Sequence, residues 1–323
     1  TIGGDSVSII RRSSRSDRQQ ATYRRYMRSS ELLDGFFLAR PMLLVPVWGF
    51  ALLGYHRGLM VERGEVPFPT VNAESLAAFG LIVVFSISVA CVHVLNQIAD
   101  VDVDGSNEGF ALLAHGDVGL GTARRAAALL AVVGVVLMWA FRPQLAVFSI
   151  VALALGAAYS FPPLRFSGRP VLDFASNAAG YGGVAFGTGW VLAGQEVASG
   201  RFLIACLPYV ALMSGGSISS TLPDYPGDRA RGKRTTAVVV SPRAAHLLAL
   251  ALVAFAAGLG AQLGDRVVVL CSAGALPLYV LYTVCPAQQV MEATYKVGGG
   301  LCMLVVSVLY PVFGAAAVAV FAA

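Results

Sequence analysis

Apolar positions along the chain gather into long blocks separated by short polar stretches. Nine blocks stand out, at 36–56, 73–95, 125–141, 145–159, 171–192, 202–222, 244–263, 267–284 and 297–321. Each approaches the ~20 residues with which a helix crosses a bilayer. The pattern predicts an all-α membrane protein with nine transmembrane helices in one bundle. An Arg-rich arm at 1–35 precedes a transmembrane domain at 36–323. The polar loops leave no room for a separate catalytic domain, so any chemistry must sit within the bundle or at its rim.

Composition points the same way. Hydrophobic residues make up 57% of the chain and charged residues 13%, against about 25% charged in soluble domains. With nine spans, the N-terminal arm and alternate loops share one face, which carries 17 of the 23 Lys and Arg residues; the other face carries 5, and Arg40 lies within the first block. The positive-inside rule makes the richer face cytoplasmic, and the expected location is a cell inner membrane. The net charge of +5 is thus mostly topology, and nothing in it points to nucleic acid. The arm carries Arg11, Arg12, Arg15, Arg18, Arg24, Arg25 and Arg28 with no apolar core directly after them, so it reads as a cytoplasmic tail rather than a secretory signal. The five cysteines lie in or beside apolar blocks without metal-ligand spacing, and read as small buried apolar residues.

In a chain so poor in acids, two acidic motifs are conspicuous. Asn96, Asp100 and Asp104 recur every four residues, and Asp224 and Asp228 do the same after the sixth block. Asp100 precedes Asp224 by 124 residues, and Asp104 precedes Asp228 by the same interval. This predicts two pseudo-symmetric four-helix units plus a ninth helix, with the motifs facing each other at the cytoplasmic ends of spans two and six. On a helix, residues four apart share one face. Clustered oxygen ligands suit a hard cation such as Mg²⁺, which commonly joins carboxylates to phosphates. Arg229, Arg231, Lys233 and Arg234 follow the second motif, and Arg165 follows the fourth block. Arg229 and Lys233, so close to Asp228, favour contact with phosphate, whereas Arg231, Arg234 and Arg169 read as orienting charges. An EF-hand is excluded because its twelfth position is Ala111. A cation-coupled transporter is the non-enzyme alternative.

These motifs make the chain resemble the UbiA superfamily of intramembrane prenyltransferases. Asn96, Asp100 and Asp104 match the family pattern N-x-x-x-D-x-x-x-D, and Asp224 and Asp228 match D-x-x-x-D. Gly227, Asp228, Arg229, Gly232, Lys233 and Thr235 match the tail that follows. Tyr159 through Pro163 and the pair Arg40-Pro41 match two further family stretches. Departures occur at Glu108 and Ala111, where members often carry cations, and at Thr221, where many carry an acid.

The resemblance implies Mg²⁺-dependent transfer of an isoprenoid chain from a prenyl diphosphate to an aromatic or other lipophilic acceptor, with release of diphosphate. Asp100, Asp104, Asp224 and Asp228, with Asn96, would hold two Mg²⁺ bridged by diphosphate. Lys233, Arg229 and Arg165 would neutralise that diphosphate. Tyr159, Arg40 and Ser220, together with His93 and Asn177, are candidates for the acceptor pocket. A membrane terpene cyclase, which would use the same diphosphate without an acceptor, is the alternative. Gly180, Gly182, Gly183 and Gly187 are expected to let helices pack closely.

Overall fold

Proline sets several of the helix boundaries. The computed structural model describes residues 35–104, 113 and 118–322, with the backbone alone for Asp102, Val103 and Asp104. The arm at 1–35 lies, but for Gly35, outside these residues, as do Glu108 and Ala111. The first long helix, α1 (Pro41–Arg63), has proline at its first position, where the missing N–H is not needed. Arg40 therefore stands at the head of this helix, in the left-handed region at φ 49°, and not inside a span as the apolar pattern implied. After α2 (Ala73–Asp104) come α3 (Leu120–Phe141) and α4 (Pro143–Ser160). The block expected at 171–192 is helical throughout but mixed: α5 (Leu172–Ala178), a π-helical stretch Ala179–Ala185, and α6 (Phe186–Leu192).

The second half starts with α7 (Gly200–Thr221). A 3₁₀ turn (Leu222–Asp224) joins it to α8 (Tyr225–Ala230), and α9 (Thr236–Val240) follows. The chain ends with α10 (Pro242–Gln262), α11 (Arg266–Val284), α12 (Gln288–Leu309) and α13 (Pro311–Ala322). The block expected as one span at 297–321 is thus two helices. Tyr310 between them is extended, at φ −128° and ψ 84°, because the ring of Pro311 disfavours helical geometry in the residue before it. Among the described residues eight helices are long and apolar enough to cross a membrane, and the Leu172–Leu192 stretch is not one of them.

Burial orders the helices. Within the apolar window of α1, 78% of residues are buried, against 17% for α3. The first is therefore central and the second peripheral, with Leu129, Val132, Val136 and Trp139 exposed along one face of α3. Lipid is as apolar as these side chains, so helix association here rests on close packing rather than on expulsion of water. At the contact of α1 with α6, a Cβ on Gly54 would stand 1.9 Å from the Phe186 carbonyl oxygen, and one on Gly189 would stand 1.7 Å from that of Ala51. Only glycine permits such backbone approach.

The glycine expectation holds in part. Gly182 lies against the Val210 backbone and Gly187 against Phe148, whereas Gly183 meets nothing within 4 Å and Gly180 lines a cavity. Four of the five cysteines are buried, Cys285 being the exposed one.

At the end of α1 away from Arg40, Asp265 is buried. It accepts a hydrogen bond from the Tyr209 hydroxyl at 2.9 Å and lies 3.6 Å from Arg57 Nε. It also caps α11 through the Val268 amide at 3.2 Å. One carboxylate thereby links α1, α7 and α11.

Candidate functional site

The first acidic motif rides on an unbroken helix. Its last turns, from Asn96 to Asp104, belong to α2, so the four-residue spacing lays the motif along one helical face. Asn96 Nδ2 donates to Asp100 Oδ2 at 2.9 Å. Arg165, from the α4–α5 connection, brings a guanidinium nitrogen to 3.6 Å from Asp100 Oδ1. The side chain of Asp104 lies outside the described residues.

The second motif is less regular. Asp224 closes the 3₁₀ turn and Asp228 lies in α8, because Pro223 and Pro226 cannot donate the amide hydrogen bonds of a continuous α-helix. Asp228 is buried and pairs with Lys233 Nζ at 3.3 Å. Asp224 is exposed at the surface beside it. Arg229 points elsewhere: its guanidinium donates to the Tyr225 hydroxyl at 2.9 Å, in an exposed position.

The loop after the second motif is fastened to α5 by a residue that the motif analysis does not single out. Buried Asp173 accepts from the Thr236 amide at 2.6 Å and from the Thr236 hydroxyl at 2.5 Å. The Thr236 hydroxyl oxygen in turn accepts from the Val171 amide at 2.8 Å. The available signal was an acid inside an otherwise apolar block, since such an acid must find partners.

A cavity of about 240 Å³ opens between α1, α2, α4 and the π-helical stretch. Arg40, His93, Asn96, Tyr159, Ser176, Asn177 and Tyr181 supply its polar lining, and Leu43, Val47, Phe85, Val89 and Leu155 are among its apolar walls. Tyr159 and Asn177 line it together, and Asn96, also in the lining, ties it to the first motif through its 2.9 Å bond to Asp100. Ser220 does not join it. It is exposed, and its hydroxyl donates to the Ser217 carbonyl at 2.9 Å.

Among the described residues the non-glycine positions with positive φ are Arg40, Arg165, Val171 and Ser241. Left-handed geometry costs an ordinary residue about 1–2 kcal/mol. Such strain concentrates at functional sites, and two of these four residues, Arg165 and Arg40, stand next to the first motif and the cavity.

The donor set is oxygen throughout: three described carboxylates and one carboxamide, the chemistry that hard divalent cations require. Two of these carboxylates already face cations. Among the described residues no three His, Cys, Asp or Glu side chains converge closely enough to hold a metal by themselves.

A helical membrane bundle with two acidic motifs, the first bordering an internal cavity, defines the class of protein. Residues 43–240 match the model of the UbiA prenyltransferase family, and the chain belongs to that family. It is therefore an integral membrane protein. No curated protein matches the chain. Solved structures share its fold. A UbiA homolog from Archaeoglobus fulgidus bound to GPP and Mg²⁺ is 20% identical, with TM-score 0.62 over 85% of this chain and 99% of that one. A digeranylgeranylglyceryl phosphate synthase is 17% identical, with TM-score 0.63 over 85% of this chain and 96% of that one. The apo UbiA homolog from Aeropyrum pernix K1 is 19% identical, with TM-score 0.56 over 85% and 98%.

Proposed function

We propose that the protein is a Mg²⁺-dependent intramembrane prenyltransferase, which moves an isoprenoid chain from an allylic diphosphate to a lipophilic acceptor and releases diphosphate. The observation that carries this reading is Asn96: it lines the cavity and donates to Asp100 of the first acidic motif at 2.9 Å. A charged head held between the motifs thus has its chain directed into apolar walls. The fold-sharing homolog bound to GPP and Mg²⁺ supports the same reading.

Asp100, Asp104, Asp224 and Asp228, with Asn96, are the residues that would hold Mg²⁺. When bound, the metal supplies Lewis-acid stabilisation of the leaving diphosphate. Arg165 and Lys233 stand beside the carboxylates and neutralise further phosphate charge. Arg229, bonded to Tyr225 in the present arrangement, would have to turn to take part. In the reaction the allylic C–O bond breaks and its electron pair leaves with the diphosphate. The acceptor supplies the electron pair of the new bond and loses a proton, which the diphosphate takes up. The apolar walls of the cavity would shield the intermediate cation from hydrolysis.

The same reading places nine spans in the membrane, with Leu172–Leu192 as the fifth. The motif ends and the arm at 1–35 are cytoplasmic, and the 124-residue interval between motifs marks two related helical units. The test is product analysis of purified protein given geranyl diphosphate and Mg²⁺, with and without lipophilic phenols or quinone precursors. Prenylated acceptor is the expected product. A cyclic hydrocarbon or alcohol formed without acceptor would assign the site to the terpene cyclase instead. Cation-dependent uptake into vesicles without any diphosphate release would assign it to transport.

A further inference from the structure

Val171 is held in a conformation that its side chain resists. It stands just before α5 at φ 69° and ψ −45°, and a β-branched residue with positive φ is a genuine outlier. Its amide donates to the Thr236 hydroxyl at 2.8 Å. That hydroxyl donates in turn to Asp173 Oδ1 at 2.5 Å, and the Thr236 amide donates to Asp173 Oδ2 at 2.6 Å. Asp173 and Thr236 are both buried. The three bonds form a latch. The Thr236 hydroxyl is its centre because it accepts from one partner and donates to the other, which a valine of the same shape cannot do.

The latch ties together the two segments that carry cations to the acidic motifs. On one side, the α4–α5 connection holds Arg165, 3.6 Å from Asp100, and runs on to Val171. On the other side, Lys233, 3.3 Å from Asp228, lies three residues before Thr236. Arg165 shares the positive φ of Val171, at 37°, so the connection is strained at both points and fastened at the latch. Each cation is itself part-exposed, and a long flexible side chain in that setting is aimed by the backbone that bears it. On the prenyl-transfer reading above, on which this inference rests, one diphosphate must meet both cations. Its two phosphates are joined through a single oxygen, so the separation of Arg165 from Lys233 matters as much as the position of either.

We propose that Thr236 is a positioning residue: with Asp173 and Val171 it fixes Arg165 and Lys233 relative to one another, so that both reach the same diphosphate. Thr236 acts through the two cations and not on the substrate. The cations then work as a unit, and the contribution of each depends on the latch that spaces it from the other.

The experiment uses the full chain in lipid nanodiscs with Mg²⁺. Binding of the unreactive analogue geranyl S-thiolodiphosphate is measured for wild type, Thr236→Val and Thr236→Ser, and for Thr236→Val combined with Arg165→Gln or with Lys233→Gln. Thr236→Val should weaken binding about tenfold, and Thr236→Ser, which keeps the hydroxyl, should stay within about twofold of wild type. In either cation variant, adding Thr236→Val should cost no more than about twofold, because no second cation is left to be spaced. A purely structural residue would lower the thermal midpoint with binding unchanged, or would weaken binding by the same factor in every background; either result overturns the proposal. Asp173→Asn, which keeps one acceptor oxygen, serves if Thr236→Val does not fold. It should weaken binding about threefold, and the loss should shrink in Lys233→Gln; unchanged binding overturns the proposal. Diphosphate release from geranyl diphosphate by wild type, read alongside, separates the two ideas. Release by wild type with analogue binding indifferent to Thr236 defeats this inference alone. Neither release nor analogue binding by wild type defeats the transfer reading and this inference with it.

Discussion

Arg165 reaches from the α4–α5 connection to within 3.6 Å of Asp100 in the first acidic motif. The pair is part-exposed, with side-chain accessibilities of 43% and 28%, so it contributes little to stability. Its value lies in holding a guanidinium beside the first motif, where a phosphate oxygen could accept from it. Arg165→Gln is therefore expected to leave the thermal midpoint almost unchanged. The KM for a prenyl diphosphate should rise about tenfold, equivalent to roughly 1.4 kcal/mol, as steady-state kinetics would show.

Asp173 behaves differently because it is buried and accepts both the amide and the hydroxyl of Thr236. Asp173→Ala strands two buried donors and should cost about 2–3 kcal/mol. Thr236→Val keeps the amide bond and should cost about 1 kcal/mol. Thermal unfolding in detergent gives the order. Because this contact anchors the loop that carries Lys233, Asp173→Ala should also weaken prenyl diphosphate binding.

Asp265 is a control at the other end of α1. Its removal leaves the Tyr209 hydroxyl buried without its acceptor, and leaves the largely buried Arg57 charge with only the Leu263 carbonyl. Losing one partner of such a buried pair costs about 3–5 kcal/mol. Asp265→Ala should therefore lower the thermal midpoint sharply, while the protein that remains folded keeps its KM for the prenyl diphosphate. An altered KM would mean that this cluster is coupled to the site.

Much of the fold was legible because lipid imposes long apolar runs, and the Asn96–Asp100–Asp104 interval is meaningful only on the helix that α2 provides. Local chemistry accounts for the differences. Pro41 moves Arg40 from the interior of a span to its head, and Pro311 divides the last block. The run from Ala179 to Ala185 reads as part of one apolar block whether its geometry is α or π, so the change is invisible in the pattern, yet this stretch lines the cavity. The cavity's polar lining was partly legible: Arg40, His93, Asn96, Tyr159 and Asn177 meet there, while Ser220 faces away. The Asp173–Thr236 contact spans 63 residues, and no local pattern pairs two residues so far apart.

The central claim is that the two acidic motifs act together on a prenyl diphosphate, and metal-dependent diphosphate release tests it most directly. Purified wild-type protein given geranyl diphosphate should release diphosphate with Mg²⁺, stop on chelation and resume when Mg²⁺ is restored. Asp100→Ala and Asp228→Ala, each still folded by size-exclusion chromatography, should lose at least about a hundredfold in rate, as loss of several kcal/mol of transition-state stabilisation requires. Full release by either variant, or release by wild type that ignores chelation, would contradict the account.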